Sequence, residues 1–100
     1  MALHRISPTA EVLRLEGEID LAAADQLAEA LRTSIESGIT SVDVSGVTFI
    51  DSSGLRVLLS AANAMNGQGP LVLLRPSERV QRLLDLAIPG GAPGLVVRDE

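Results

Sequence analysis

The feature that most constrains the fold is a change of apolar period along the chain. From Val12 to Ile19 the residues alternate, with charged side chains between apolar residues or glycine, which is the pattern of a strand with one buried face. From Ala24 to Ile35 the apolar residues recur at intervals of three or four, which predicts a helix. This change of period favours an α/β domain over an aromatic-rich sandwich.

The rest of the chain continues the same alternation and predicts a single domain over residues 1–100. The predicted element order is β-β-α-β-α-β-α-β, in which strand-helix-strand units imply parallel pairing with right-handed crossovers. Polar outer faces on two strands suggest that the helices lie mainly on one face of the sheet. The segments involved are a first strand at Leu3–Ile6, strands around Val42–Val44, Leu71–Leu74 and Leu95–Val97, and helices after Asp51 and after Arg75.

Composition and charge exclude several classes of function. The net charge is -5 and Phe49 is the only aromatic residue, so neither phosphate-backbone attraction nor base stacking supports nucleic-acid binding. The chain has no cysteine and its acidic residues are scattered, so no metal site and no cofactor is predicted. No secretory leader is visible, and no apolar run approaches the roughly 20 residues that cross a bilayer. We therefore expect a soluble, cytoplasmic protein without membrane insertion.

The segment from Asp51 to Leu55 carries the functional information. It places a carboxylate and two serine hydroxyls at a predicted helix N-terminus, where unpaired N–H groups and the helix dipole favour a phosphate. Gly54 has no side chain and would permit the close approach of a partner's backbone or nucleotide. The simplest alternative is that Asp51 or Ser52 only caps the helix. Capping by one group and modification of another are compatible.

Two motifs in this chain resemble those of the STAS domain, the fold of sulfate transporter tails and anti-sigma factor antagonists. The first is Asp-Val-Ser at 43–45 followed by Phe-Ile-Asp-Ser-Ser-Gly-Leu at 49–55, and the second is Gly-Glu-Ile-Asp at 17–20. The resemblance covers nearly the whole chain. It implies a mixed sheet of four or five strands with helices mainly on one face.

The resemblance to the antagonist branch also implies a site and partners. It makes Ser53 the phosphorylated residue, and Asp20 and Asp51 match acidic positions near that serine. We expect the partner-binding surface to comprise Asp20, Asp51, Ser52, Ser53, Gly54 and Arg56. The implied partners are a serine kinase that doubles as an anti-sigma factor and a serine phosphatase, and formation of a homodimer stays open. Arg56 departs from the family pattern, which has small or apolar residues there. If it is exposed, this arginine could pair with a phosphate or alter the choice of partner.

Two other functions remain open at this point. One is a STAS interaction subunit of a transporter or signalling scaffold, in which Ser53 is only a contact residue. The other is a small serine hydrolase, but His4 is the only histidine and lies at the N-terminus, so no catalytic residues are predicted. Among other residues, we expect Phe49 in the core and Asp43 in a local hydrogen bond on the polar face of its strand.

Overall fold

Five strands form one mixed sheet in the order β1-β2-β3-β4-β5. The computed structural model describes residues 3–8, 12–65 and 69–99. The first two strands pair antiparallel, and each later strand is parallel to the one before it. Within these described residues the sheet has five strands, where the sequence left four or five open. Their bounds are β1 Leu3–Pro8, β2 Val12–Ile19, β3 Ser41–Ile50, β4 Leu71–Leu74 and β5 Leu95–Arg98.

Three helices connect the parallel strands: α1 spans Ala24–Glu36, α2 spans Ser52–Ala64 and α3 spans Glu78–Ala87. A short 3₁₀ turn precedes α1, and the carboxylate of Asp20 accepts a hydrogen bond from the N–H of Ala23 at 3.1 Å. The hydroxyl of Ser77 caps α3 in the same way. Both caps satisfy N–H groups that a helix leaves unpaired, and they fix where the chain leaves the sheet.

The strand order decides on which side the helices lie. From β2 to β5 each crossover steps to the next strand in the same direction, and right-handed crossovers of this kind place α1, α2 and α3 on one face. Burial agrees, since Leu13 and Leu15 of β2 are buried while Arg14 between them is exposed. The predicted one-sided α/β arrangement is confirmed.

The core fills the space between the sheet and the three helices. Each helix contributes at least two buried apolar side chains, and burial of a leucine side chain contributes roughly 2 kcal/mol. This packing holds the helix starts rigidly against the strand ends. The largest fully buried apolar side chains are Leu13, Leu15, Ile19, Leu27, Leu31, Leu58, Met65, Leu71, Leu73, Val42 and Val47.

Asp43 lies on the face of the sheet opposite the helices and is nevertheless buried, with 1% of its surface exposed. One carboxylate oxygen accepts hydrogen bonds from Arg75 Nη2 at 2.5 Å and Arg14 Nε at 3.3 Å. The other accepts from the N–H of Ser45 at 2.9 Å, which is the predicted local hydrogen bond. Burial alone would raise the pKa of Asp43, but the bonds from Arg75 and Ser45 outweigh it and lower that pKa to about 2.

Phe49 is not a core residue, contrary to the expectation from its type, because 40% of its surface is exposed. The pairing of β2 with β3 shifts register between Arg14 and Glu16 and again between Gly17 and Glu18. Such irregularities break the strict alternation of a strand. Phe49 consequently lies in an open cleft against α3.

Candidate functional site

The site is built where two neighbouring parallel strands end. Ile19 of β2 is paired with Ile50 of β3. Asp20 directly follows the first of these strands and Asp51 directly follows the second. The N–H of Asp51 donates to the carbonyl oxygen of Ile19 at 3.0 Å, which holds the two strand ends together. The sheet thus brings the two predicted acidic residues to one edge.

Asp51, and not Ser52, caps α2. Its Oδ1 accepts hydrogen bonds from the N–H groups of Ser53 at 2.9 Å and Gly54 at 3.2 Å. The backbone of Asp51 is extended, as is usual for a residue that precedes a helix. The alternative that Ser52 is the cap is wrong. The expectation that free N–H groups await a phosphate also needs correction, because a carboxylate already occupies two of them.

The two serines differ in exposure. Ser52 is the first residue of α2 and is exposed, whereas Ser53 is the second and is partly buried. In the described part of the chain neither hydroxyl forms a hydrogen bond with a histidine or carboxylate side chain. The arrangement places one exposed and one partly buried serine at a helix start, and among the described residues neither hydroxyl is hydrogen-bonded to a base that could activate it for attack.

Gly54 is buried, and its role is internal. A Cβ at this position would lie 2.3 Å from Ile19 Cγ2 and 3.0 Å from the carbonyl oxygen of Ile19. The close approach expected here with a partner is therefore made to β2 within the chain. Only a glycine lets the start of α2 lie this near to the end of β2. Contact of Gly54 with a partner stays a prediction.

Arg56 is exposed and lies one turn along α2 from the serines. It lies at an open groove between α1 and α2, together with Arg32 of α1. Arg32 forms ion pairs with Glu29 and Glu36. No ion pair of Arg56 is present among the described residues. Its guanidinium group is available to a ligand.

Two exposed apolar side chains flank the acidic pair. Leu21, 74% exposed, follows Asp20, and Phe49 precedes Asp51 by two residues. The sequence did not single out Leu21, and it led us to expect Phe49 in the core, because large apolar side chains are usually buried. The one feature of the sequence that could have indicated this exposed pair is that each large apolar residue lies close to an aspartate that precedes a helix.

The described residues carry two further findings. No group of three histidine, aspartate or glutamate side chains there is arranged to hold a metal ion. Within the same residues, no helix has the length and apolar character needed to cross a membrane.

A protein-family model for STAS domains, described as "Mlab, STAS domain", matches residues 3–90. This chain belongs to the STAS domain family. The match covers β1 to α3, and so includes the edge formed by Asp20 and Asp51. No curated protein matches the chain at a significant level.

Anti-sigma factor antagonists are among the solved structures similar to this STAS domain. SpoIIAA in its unphosphorylated form is 26% identical, with a TM-score of 0.66, and the alignment covers 99% of this chain and 89% of SpoIIAA. A protein assigned as an antagonist in Thermotoga maritima is 20% identical, with a TM-score of 0.74 and coverages of 96% and 86%. One from Mycobacterium paratuberculosis is 20% identical, with a TM-score of 0.68 and coverages of 92% and 82%. The fold is shared with all three.

Proposed function

We propose that this STAS domain is an anti-sigma factor antagonist that is switched by phosphorylation of Ser53. The observation that carries the proposal is the start of α2, where Ser53 follows the capping Asp51 and lies beside the strand end that bears Asp20. The similarity in fold to SpoIIAA and other antagonists supports it. In the unmodified form this edge binds an anti-sigma factor, which then releases its sigma factor.

The partners follow from the chemistry of the switch. A serine kinase, which is also the anti-sigma factor, transfers the γ-phosphoryl group of ATP to Ser53 Oγ and releases ADP and the hydroxyl proton. A serine phosphatase hydrolyses the phosphoserine with water and returns serine and inorganic phosphate. The domain itself catalyses neither step, and both take place in the cytoplasm.

Added charge explains how binding is lost. A phosphoryl group brings about -1.5 to -2 charges at pH 7 to an edge that already carries Asp20 and Asp51. Like charges brought together at a desolvated interface cost several kcal/mol. A cost of about 3 kcal/mol weakens binding roughly a hundredfold. The switch therefore needs no change in the fold of the domain.

A pair of serine variants tests the proposal. After incubation with the kinase and ATP, mass spectrometry should find phosphate on Ser53 of the wild type and of Ser52→Ala. Ser53→Ala should stay unmodified and keep binding the anti-sigma factor, whereas Ser53→Asp should bind weakly. Phosphate on Ser52 or Thr48 alone would overturn the assignment.

A second candidate is a STAS interaction subunit of a transporter or signalling scaffold that is not phosphorylated. The partial burial of Ser53 and the use of the Ser53 and Gly54 N–H groups by Asp51 favour this candidate, because both leave less room for a phosphate at the start of α2. In that case a stable ATPase subunit should co-purify with the domain, and Ser53→Asp should weaken the complex without any phosphate being found on the wild type.

A further inference from the structure

The start of α2 is not an open phosphate cradle. Asp51 Oδ1 accepts hydrogen bonds from the N–H groups of Ser53 and Gly54, which are the groups that a phosphate on this turn would otherwise use. A phosphoryl group on Ser53 Oγ would also lie close to this carboxylate. Without displacement of the cap, the phosphate has to find its positive partner elsewhere.

Arg56 is placed to be that partner. Residues three apart on a helix lie on the same side, with Cβ atoms about 5–6 Å apart, so Arg56 lies one turn from Ser53. It is exposed and forms no ion pair with any described residue. Arg32, the other cation at the groove, is already engaged by Glu29 and Glu36. Arginine binds phosphate through two parallel hydrogen bonds, which a lysine does not reproduce.

We propose that Arg56 binds the phosphoryl group of phosphorylated Ser53 within the same helix. This inference rests on the proposed function, since it concerns the phosphorylated form of that site. The pairing holds the phosphate on the α2 side of Asp51, away from the capping carboxylate. It also draws the guanidinium group from the rim of the groove between α1 and α2 towards the start of α2. Phosphorylation thereby changes the surface both at the start of α2 and at the groove between α1 and α2.

A titration of the phosphate itself tests this pairing. Phosphoserine is incorporated at position 53 during translation, and its second pKa is measured by ³¹P NMR in the wild type, Arg56→Gln, Arg56→Lys and Arg32→Gln. A nearby cation favours the dianion, so we expect the pKa to be about 0.5 higher in Arg56→Gln, as for an exposed ion pair. Arg56→Lys should restore part of the lower pKa, and Arg32→Gln should match the wild type.

Equal pKa values in the wild type and Arg56→Gln would overturn the pairing, as would an equal rise in Arg32→Gln. Circular dichroism should show that all variants are folded, because both arginines are exposed. The titration uses neither kinase nor partner. If no kinase modifies Ser53, the proposed function fails while the titration still reports on Arg56. If the kinase acts but the pKa values are equal, only the pairing fails.

Discussion

The buried carboxylate of Asp43 links the stability of this domain to pH. Replacement by asparagine removes the charge but keeps an oxygen that can accept the hydrogen bond from the N–H of Ser45. The ion pairs with Arg14 and Arg75 are lost. Both arginines are about half exposed, so water can solvate them in the variant. The substitution therefore removes the negative charge and the acceptor that faces the two arginines, while the size of the side chain stays the same.

The magnitude follows from the pKa of Asp43, which is lowered from 3.8 to about 2. A carboxyl group whose pKa is lower in the folded than in the unfolded state stabilises the folded state. This stabilisation is complete at pH values above the unfolded-state pKa, and it is lost as the pH falls through the folded-state pKa. The difference of nearly two pH units corresponds to about 2 kcal/mol at neutral pH. Asp43→Asn should accordingly be about 2 kcal/mol less stable at pH 7, and this deficit should shrink between pH 4 and pH 2.

Urea unfolding followed by far-UV circular dichroism measures this difference, since the chain has no Trp or Tyr for fluorescence. The matched control is Asp85→Asn on α3, because Asp85 is exposed and accepts one hydrogen bond from Gln81. Its effect should be below about 0.5 kcal/mol at every pH. Equal stability of Asp43→Asn and wild type at pH 7 would refute the reasoning, as would a deficit that stays constant down to pH 2.

Three further tests, each by urea unfolding, examine the structure around the site. Gly54→Ala should destabilise the domain by about 1–3 kcal/mol, because the Cβ of the alanine would overlap Ile19. An increase in stability of up to about 1 kcal/mol, as is usual for Gly→Ala in a helix, would contradict this. Asp51→Ala should cost about 1 kcal/mol through loss of the cap, and Asp51→Asn much less; equal costs would indicate that the charge matters more than the cap. Leu58→Ala leaves a cavity at a buried position and should lower the free energy of unfolding by about 2–5 kcal/mol. Phe49→Ala should lower it by less, and the reverse order would place Phe49 in the core.

Periodicity was sufficient to predict the sheet and the helices of this domain. Alternation over Val12–Ile19 identified β2 and its buried face, and Asp20, directly after that pattern, caps the turn that leads into α1. The helix predicted from the spacing over Ala24–Ile35 ends at Glu36, and Gly38 follows it at a φ of +87°. These features depend on neighbours in sequence, and local interactions determine them.

Contacts between distant segments could not be predicted in the same way. The ion pairs of Asp43 join residues 29 and 32 positions apart, and they depend on strand register that a single sequence does not reveal. The exposure of Phe49 depends on irregular pairing of β2 with β3. Gly54 was correctly singled out, but its neighbour is Ile19 of another strand. In each case the deciding partner lies on a different element.

Because the strand order runs in one direction across the sheet, substitutions on the two faces of the sheet have different effects. Each crossover from β2 to β5 advances the same way, so the helices described here cover one side of the sheet and leave the other bare. Outward side chains of β2 and β4, such as Glu18 and Val72, lie on the side away from the helices, so substitutions there remove no contact between helix and sheet. The two sides can thus diverge independently, and a new contact surface can arise on the bare side while the edge that bears Ser53 is preserved.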